Sequence, residues 1–383
     1  MSSRLKVLTV VGTRPEIIRL APTIKRLDAT TEHVLVHTGQ NYDYELNEVF
    51  FEDLGLRRPD HFLGADVSSL GTVLGSILSS IEKVLQAERP DAVVVLGDTN
   101  SCISALMARR MKIPVYHLEA GNRCFDDNVP EETNRKLVDH VSDYNLVYTE
   151  HARRNLLAEG IHPSRILLTG SPMREVLEAN RAGIDASDIL ARQGLAEGGY
   201  FLVSMHREEN VDNPERLASL LAALNALADE HGLPVLVSTH PRTRNRLESQ
   251  EASLTEGLVF HAPFGFHDYV HLQEKARLVL SDSGTISEES AILRFPAVSL
   301  RDAIERPEAI DTGVTITTGV ETDGILDAVR VTLAQCDAEG VAASPWEYDI
   351  ADASRRAVSF ILSTARTHHQ RAGIRVETTS TGR

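Results

Sequence analysis

Three carboxylates end apolar runs or open a helical stretch, where such groups can transfer protons. Asp98 and Glu119 each follow a short apolar run, and Glu131 lies at the start of a stretch with helical period. Carboxylates grouped in this way can act as general acids and bases. Asp98 and Glu131 could instead cap helices. Glu119 follows an apolar strand directly, so it needs a partner or a chemical role, and Arg123 and Arg135 are candidate partners.

Two basic turns could bind an anion. Gly12-Thr-Arg-Pro-Glu16 follows the first apolar run, and Arg14 with a helix N-terminus suits a phosphate. His206-Arg-Glu-Glu-Asn210 follows a similar run, where His206 can donate to phosphate or exchange protons and Arg207 adds a guanidinium. Each turn could equally be a plain connection with capping or solvated side chains. The sequence has neither a G-x-G-x-x-G fingerprint nor metal-ligand spacing of histidines, so it indicates neither an NAD site nor a metal site.

A hydroxyl-rich segment in the second half contains Ser283, Gly284 and Glu289. Its hydroxyl and backbone N–H groups at a helix start suit phosphate oxygens, and Glu289 lies one and a half turns further, where it could reach a ribose diol. Arg301 and Arg306 follow the next predicted strand and supply positive charge to the same region. The segment could also be an ordinary capping box, but the arginines favour phosphate binding.

The composition is that of a folded globular protein with an acidic balance. The 383 residues carry a formal net charge of −16, which argues against nucleic acid or an anionic membrane as a partner. The apolar runs are too short to span a bilayer, and the N-terminus leads into a strand rather than a signal sequence. The three cysteines lack C-x-x-C spacing, which fits a reducing compartment, and we expect a cytoplasmic location.

Short apolar runs alternate with helical-period stretches, which predicts an α/β protein with parallel sheets. Two strand–turn–helix patterns recur in the same order in each half, so we expect two doubly wound, Rossmann-like domains. Strands are predicted near residues 5–11, 33–37, 92–96, 113–118, 144–148, 166–169, 200–204, 234–239, 257–261, 278–281, 296–300 and 314–317. The longest helices are predicted near residues 15–28, 68–88, 101–111, 131–142, 213–231, 285–293, 321–335 and 350–362.

Turn signals and composition predict the domain boundaries. Gly170-Ser-Pro172 separates an N-terminal domain, 1–171, from a C-terminal domain, 172–349. We expect a helix at about 350–365 to return to the first domain and the polar residues 366–383 to form a flexible tail. Ligands of parallel sheets bind at the carboxyl ends of strands, so the turns described above are expected to line a cleft between the domains.

Short motifs occur in a specific order along the chain. They are Gly12-Thr-Arg-Pro-Glu16, His37-Thr-Gly-Gln40, Gly97-Asp-Thr99, Glu119-Ala-Gly121, Pro130-Glu-Glu132 with Asn134-Arg135, His206-Arg-Glu-Glu-Asn210, Asp282-Ser-Gly284 with Glu288-Glu289, and Glu305-Arg-Pro-Glu308. With this set the chain resembles the non-hydrolysing UDP-N-acetylglucosamine 2-epimerase family over about residues 5–365. The resemblance implies a GT-B-like fold with a UDP-sugar substrate between two Rossmann-like domains, a homodimer, and a final helix that returns to the first domain.

The resemblance also implies roles for individual residues. Asp98, Glu119 and Glu131 match the family's catalytic carboxylates, and we group His206 with them. Arg19 stands where the family usually has a lysine. The residues expected to bind the substrate and UDP are Arg14, Arg19, Arg135, Arg207, Ser283, Gly284, Glu289, Arg301 and Arg306.

The segment Gly121–Pro130 bears on the choice of sugar. It is shorter than in many family members, and its Asn-Arg-Cys-Phe-Asp sequence resembles a subgroup that acts on modified sugars. The expected substrate is UDP-N-acetylglucosamine (UDP-GlcNAc), which would be converted to UDP-N-acetylmannosamine, or a modified analogue of UDP-GlcNAc. The alternatives are UDP-2,3-diacetamido-glucuronate and a sugar of the UDP-N-acetyl-L-fucosamine pathway.

The chemistry of C2 inversion suggests a route. The C2 proton is not next to a carbonyl, but departure of UDP from C1 develops oxocarbenium character and makes that proton acidic. We therefore expect anti elimination to UDP and a 2-acetamidoglucal, followed by re-addition with the proton delivered to the opposite face. This route needs neither a nicotinamide nor a metal cofactor. A GT-B glycosyltransferase and a silent nucleotide-sugar-binding protein are the alternatives from other classes.

Overall fold

The chain forms two compact units. The structure, a computed structural model, describes residues 4–40, 51–205, 207–239, 257–303 and 305–375. One unit comprises Met1–Val176 with Ile350–Arg383, and the other comprises Leu177–Asp349. The first boundary between the two units falls after Val176, whereas the turn signals in the sequence predict it at Gly170-Ser-Pro172.

A parallel sheet forms the centre of the first unit. Its strands are β1 (Lys6–Val11), β2 (Glu32–His37), β3 (His61–Phe62), β4 (Ala92–Leu96), β5 (Val115–Leu118), β6 (Tyr144–Val147) and β7 (Ile166–Leu168). They lie in the order β3-β2-β1-β4-β5-β6-β7, and every pair is parallel. Every residue of the run Ala92-Val-Val-Val-Leu96 is buried, as expected for a strand covered on both faces.

Helices connect these strands. They are α1 (Arg14–Thr30), α2 (Leu70–Glu88), α3 (Ser104–Arg110), α4 (Pro130–Val141) and α5 (Glu150–Ala158), and α6 (Met173–Ala179) follows β7 and contains the boundary after Val176. The sequence predicts one helix near 101–111, but the structure has a 3-10 segment, Asn100–Ile103, followed by α3. Helix α2 shows why the pattern folds this way, since its buried residues Val73, Ile77, Ile81 and Leu85 recur every four positions on one face.

The second unit repeats the architecture. Its strands are β8 (Phe201–Met205), β9 (Val235–Thr239), β10 (Leu258–His261), β11 (Leu278–Ser281), β12 (Ala297–Ser299) and β13 (Thr315–Thr317). Their order is β10-β9-β8-β11-β12-β13, again parallel throughout. Its helices are α7 (Arg181–Asp185), α8 (Ile189–Gln193), α9 (Glu208–Val211), α10 (Pro214–His231), α11 (Phe266–Lys275), α12 (Ile286–Leu293), α13 (Pro307–Asp311) and α14 (Thr322–Glu339). The α/β class with two doubly wound sheets is therefore confirmed.

The end of the chain returns to the first unit as α15 (Ala353–Thr364), which packs against α1. Arg26 Nε donates to Ser354 Oγ at 3.1 Å, and the Phe360 ring meets the Tyr144 ring edge-on at 5.2 Å. A 3-10 turn and α16 (His368–Arg371) follow, so helical structure extends into the segment 366–383 that the sequence predicts as a tail. No described helix is long and apolar enough to cross a membrane.

The strand orders locate one crevice in each sheet. In doubly wound sheets the ligand site lies outside the carboxyl ends of the two strands where the strand order reverses. This point lies between β1 and β4 in the first sheet and between β8 and β11 in the second. The turns that follow these four strands carry Arg14, Asp98, Arg207 and Ser283.

Gly121 fixes the path of the segment that leaves β5. Its φ of 81° lies in the left-handed region, where residues with a Cβ are strained. A Cβ on this residue would collide with the backbone oxygen of Ala152 and would lie 2.9 Å from Leu156 Cγ. The chain can therefore pass this close to α5 only because residue 121 lacks a side chain.

Gly121→Ala is expected to destabilise the protein by about 2–4 kcal/mol, because backbone strain and a backbone clash add. Thermal melting should show a midpoint lower by roughly 5 °C or more. Gly75→Ala is the matched control, since Gly75 is exposed within α2 and a Cβ there would meet nothing within 4 Å. The control should melt at or slightly above the wild-type temperature, and equal melting of the two variants would contradict the packing argument.

Candidate active site

Asp98 follows β4, and helix α4 holds it in place. Arg135 Nε donates to Asp98 Oδ2 at 2.7 Å, and Arg135 NH2 lies 2.5 Å from the same oxygen. Asn134 Nδ2 donates to the Asp98 backbone oxygen at 2.8 Å. The Asp98 side chain keeps 23% of its surface exposed. One edge of the carboxylate is therefore fixed while part of it stays accessible.

Glu119 is buried in the turn after β5. Its φ of 62° is left-handed, an uncommon conformation for a residue with a side chain and one often found at functional sites. Its carboxylate forms a buried ion pair with Arg19 of α1 and accepts from Asn122 Nδ2 at 3.3 Å. A Cβ on Gly97 would lie 3.8 Å from Glu119 Oε2, so this carboxylate lies beside the residue that precedes Asp98.

Of the two arginines expected as partners of Glu119, Arg123 binds other carboxylates. Arg123 NH1 donates to Asp139 Oδ2 at 2.8 Å, and Arg123 NH2 lies 2.7 Å from Glu159 Oε2. Arg135 pairs with Asp98, as described above. The expectation that Arg123 serves Glu119 is wrong, because Asp139 and Glu159 already hold its guanidinium.

The adjacent carboxylates Glu131 and Glu132 differ in environment. Glu132 is buried and accepts from the Cys124 backbone N–H at 3.1 Å and from Arg135 NH1 at 3.2 Å. These donors lower the pKa of Glu132 although burial alone would raise it. Glu131 is half-buried, and its side chain makes no hydrogen bond or ion pair within the part of the chain that the structure describes. Of these two carboxylates, Glu131 is therefore the one that is available to a substrate.

Glu16 links the turn after β1 to the segment after β4. Its Oε2 accepts from the backbone N–H groups of Gly12 and Thr13 at 2.9 and 2.7 Å, and its Oε1 accepts from Ser101 Oγ. Burial raises the pKa of Glu16 to about 7 in spite of these bonds. Arg14, half-buried at the first position of α1, begins the helix that this carboxylate holds.

Asp282 organises the turns after β8 and β11 in the second unit. Asp282 Oδ2 accepts from the Arg207 backbone N–H at 3.0 Å and from Asn210 Nδ2 at 3.2 Å. Arg207 Nε donates to the Asp282 backbone oxygen at 3.1 Å. The turn that bears Arg207 is thus tied to the segment that bears Ser283. His206, grouped with the catalytic residues on sequence grounds, lies outside the described residues.

A small pocket lies in the second unit beside Ser283 and Gly284. Two buried arginines line it. Arg301 makes a two-pronged contact with Glu305 at 3.0 and 2.5 Å, and Arg306 NH2 lies 3.6 Å from Glu288 Oε2. A Cβ on Gly284 would lie 3.2 Å from Arg301 NH1, so a side chain there would push the guanidinium aside by a few tenths of an ångström. Further lining residues are Ser287, Ser299, Ala303, Glu305, Ile310 and Thr317.

This pocket has the chemistry of a phosphate site. Guanidinium groups pair with phosphate oxygens in a fixed fork, and serine hydroxyls add hydrogen bonds. Glu289 is not among the lining residues and accepts from Gln273 Nε2 of α11 at 2.6 Å. Within residues 4–40, 51–205, 207–239, 257–303 and 305–375, no group of three His, Cys, Asp or Glu side chains could hold a metal ion.

The sequence matches a known protein family over most of its length. A model of the UDP-N-acetylglucosamine 2-epimerase family matches residues 25–362. The chain belongs to this family. A UDP-N-acetylglucosamine 2-epimerase from Methanocaldococcus jannaschii is 37% identical over 338 residues, which cover 86% of this chain and 92% of that protein. A UDP-2,3-diacetamido-2,3-dideoxy-D-glucuronate 2-epimerase from Pseudomonas aeruginosa is 36% identical over 337 residues, with coverage of 86% and 92%.

Solved structures of the epimerase family agree with the fold. A UDP-N-acetylglucosamine 2-epimerase from Rickettsia bellii is 44% identical with a TM-score of 0.91, covering 97% of this chain and 100% of that one. The M. jannaschii UDP-GlcNAc 2-epimerase in complex with UDP-GlcNAc and UDP is 35% identical with a TM-score of 0.87, covering 94% and 100%. The GT-B-like fold class that the resemblance implies is therefore confirmed.

The epimerase motifs gather into two groups, one in each unit. In the first unit, Asp98 with Arg135 and Glu119 with Arg19 lie close together, as the contact at Gly97 shows. In the second unit, Ser283, Gly284, Arg301 and Arg306 line one pocket, and Arg207 NH2 lies 3.6 Å from Glu305 of that pocket. Glu289 faces α11 through Gln273 and does not line the pocket.

Sequence analysis missed two buried residues beside the carboxylates. His117 of β5 and Asp139 of α4 form a fully buried pair at 2.9 Å. His117 lies two residues before Glu119, and Asp139 lies one helical turn after Arg135. Both positions can be recognised in the sequence. His117 is a polar residue in an apolar strand, and Asp139 lies on the same face of its helix as Arg135, so each of them needs a buried partner.

The raised pKa of Glu16 predicts a pH dependence of stability. The ordinary pKa of 4.5 applies to the unfolded chain and about 7 to the folded protein, so the folded state binds the proton more tightly. The contribution of Glu16 to stability is fully present below about pH 4.5 and is lost as the pH rises through about 7. Glu16→Gln cannot ionise, so wild type should lose roughly 5 °C more than the variant in melting temperature between about pH 5 and about pH 8.

Glu82→Gln, which replaces a half-buried carboxylate of α2, is the control and should follow the wild-type curve. A constant difference between wild type and Glu16→Gln across this range would contradict the raised pKa.

Proposed function

We propose that this protein inverts C2 of a UDP-2-acetamido sugar, with UDP-GlcNAc as the first substrate to test. The main support is the match of the epimerase family over residues 25–362, with every expected carboxylate and arginine present. Asp98 follows β4 at the switch point of the first sheet, with Glu119 beside Gly97, and Ser283 of the arginine pocket follows β11 at the switch point of the second. Each unit would supply one part of the chemistry.

The second unit would bind the nucleotide. Arg301 and Arg306 are 4% and 6% exposed, so an anion that reaches them is held by charges with little competing water. The hydroxyl groups of Ser283 and Thr285 lie 2.9 Å apart at the start of α12, where they would contact phosphate oxygens. The positive charge of these arginines beside the diphosphate would stabilise UDP as the anion that leaves C1. Glu289 and Arg207 complete the proposed UDP-binding set.

The first unit would handle the C2 proton. As the C1–O bond breaks, its electron pair goes to the β-phosphate oxygen, a carboxylate takes the C2 proton, and the C1–C2 double bond forms. In the return step a proton reaches C2 from the opposite face, and the UDP oxygen attacks C1. Groups on both faces are needed, and Asp98, Glu119 and Glu131 can supply them, with His206 as a further candidate. Arg14, Arg19 and Arg135 would hold the sugar and diphosphate or orient the carboxylates.

A modified sugar is the second candidate substrate. The P. aeruginosa relative, named as a UDP-2,3-diacetamido-glucuronate 2-epimerase, is 36% identical. The segment that leaves β5 is pinned by the Arg123 ion pairs and presents Phe125, which is 77% exposed. An exposed aromatic ring in the segment that follows Glu119 can discriminate between substituents at C3 and C5 of the sugar. A homodimer and a cytoplasmic location remain predictions that follow from the resemblance and from the sequence.

The proposed function is tested by proton NMR in deuterated water. UDP-GlcNAc and UDP-2,3-diacetamido-glucuronate are each incubated with the protein and without an acceptor sugar. Inversion at C2, deuterium at C2 and transient free UDP are expected for the true substrate. Inversion without deuterium would contradict the elimination route. No inversion in these incubations, but sugar transfer once an acceptor is added, would support the glycosyltransferase, and tight binding without turnover of either sugar would support a silent binding protein.

Glu119→Gln is expected to lower the rate of C2 exchange by at least about 100-fold, because an amide can neither take nor return the proton. UDP affinity, measured by calorimetry, should stay within about twofold, since Glu119 lies outside the arginine pocket. Glu82→Gln on α2 is the control and should exchange at the wild-type rate. An unchanged exchange rate in Glu119→Gln would remove this residue from the catalytic set.

Arg306→Ala is expected to weaken UDP binding by about 10- to 100-fold, because a charge-assisted bond to phosphate is lost from a buried site. The matched control is Arg330→Ala, which removes an arginine that is 63% exposed on α14 and paired with Asp327. Calorimetric titration with UDP should give the control the wild-type Kd. Equal affinity of the two variants would show that UDP binds elsewhere.

A further inference from the structure

His117 joins the ends of two neighbouring strands. It lies on β5 opposite Val95 of β4 and is 1% exposed. Its Nε2 lies 2.8 Å from the Gly97 backbone oxygen, and since a carbonyl only accepts, the ring donates this bond. Gly97 immediately precedes Asp98, and His117 lies two residues before Glu119. The His117 imidazole therefore links the backbone segment that carries Asp98 to the segment that carries Glu119.

Asp139 holds the other side of the ring. Its Oδ1 lies 2.9 Å from His117 Nδ1, and its Oδ2 accepts from Arg123 NH1 at 2.8 Å. The same carboxylate accepts from the backbone N–H of Gly121, the second residue after Glu119. Asp139 therefore holds the backbone on both sides of Glu119, through the His117 ring before it and through the Gly121 N–H after it.

This chain of bonds fixes the backbone around the carboxylates. It runs from the Gly97 oxygen through His117 and Asp139 to the Gly121 N–H, with both side chains buried. Buried polar groups linked in this way cannot exchange partners with water, so the geometry they fix is rigid. The left-handed backbone at Glu119, with a φ of 62°, needs such support to persist.

We propose that His117 is a positioning residue that, by its bond to the Gly97 carbonyl, sets the placement of Asp98 relative to Glu119. This inference rests on the proposed epimerase function. It assigns His117 no contact with the substrate and no proton transfer. Its effect lies in the turnover step, because a shift of about 1 Å in a reacting group can cost about 100-fold in rate.

Two substitutions separate the two bonds of the ring. The amide of glutamine reaches about as far as Nε2, so His117→Gln can still donate to the Gly97 oxygen. The amide of asparagine reaches about as far as Nδ1, so His117→Asn can still contact Asp139 but loses the bond to Gly97. We expect kcat for C2 inversion to fall about 100-fold in His117→Asn and about 10-fold or less in His117→Gln. The KM for the UDP-sugar and the Kd for UDP should change by less than about threefold in both variants.

His33 provides the matched control. Its side chain is 1% exposed, its Nδ1 lies 2.6 Å from Asp28 Oδ1, and its Nε2 lies 2.9 Å from Thr9 Oγ1, so it is a buried histidine of similar bonding. It lies near the amino end of β2, away from the strand ends that carry the carboxylates. His33→Asn and His33→Gln should lower the melting temperature as the His117 variants do but leave kcat within about twofold of wild type.

The outcomes separate failure of this inference from failure of the proposed function. Wild type without C2 exchange on either UDP-sugar overturns the proposed function. An active wild type with equal kcat in His117→Asn and His117→Gln, or with losses matched by the His33 variants, overturns the positioning role. If His117→Asn does not fold, Asp139→Asn is measured instead, since it loosens the ring but leaves His117 in place. Its kcat should fall about 10-fold at constant KM, and an unchanged kcat overturns the inference.

Discussion

Helix α4 carries two buried charges of opposite sign one turn apart, Arg135 and Asp139, and the carboxylate group of the first unit depends on them. A buried charge without a partner costs several kcal/mol, so each must be paired. Arg135 finds Asp98 after β4, while Asp139 finds His117 on β5 and Gly121 after it. Arg135 and Asp139 can both be paired in only one position of helix α4. That position fixes the distance between the ends of β4 and β5.

The two units use the same construction for different chemistry. In each sheet an aspartate at the switch point anchors its neighbours, Asp98 through Arg135 and Asp282 through the backbone of Arg207. The first unit adds carboxylates to this frame, and the second adds the guanidinium groups of Arg301 and Arg306. The acidic protein thereby concentrates positive charge where a diphosphate would bind, which its net charge of −16 does not suggest.

The sequence predicts the sheets better than it predicts the pairing within the site. The buried runs of β4 and β11 are continuous and apolar, so their limits are those expected, whereas β3 consists only of His61-Phe62 and has no pattern to detect. The partner of Glu119 was not predictable, because Arg19 lies 100 residues earlier and only folding brings them together. Glu131 and Glu132 look alike in sequence, and which one is buried depends on the position of Arg135 and Cys124.

The first unit is discontinuous, since α15 returns to it after the whole of the second unit. During synthesis on the ribosome, the segment that covers α1 and the Tyr144 ring therefore emerges after the whole of the second unit. The second unit has all its strands available earlier and can complete its core first, as domains generally fold in units during translation. The carboxylate-bearing unit reaches its final packing only after the second unit has been synthesised, so the surface of α1 that α15 covers stays exposed in the nascent chain until then.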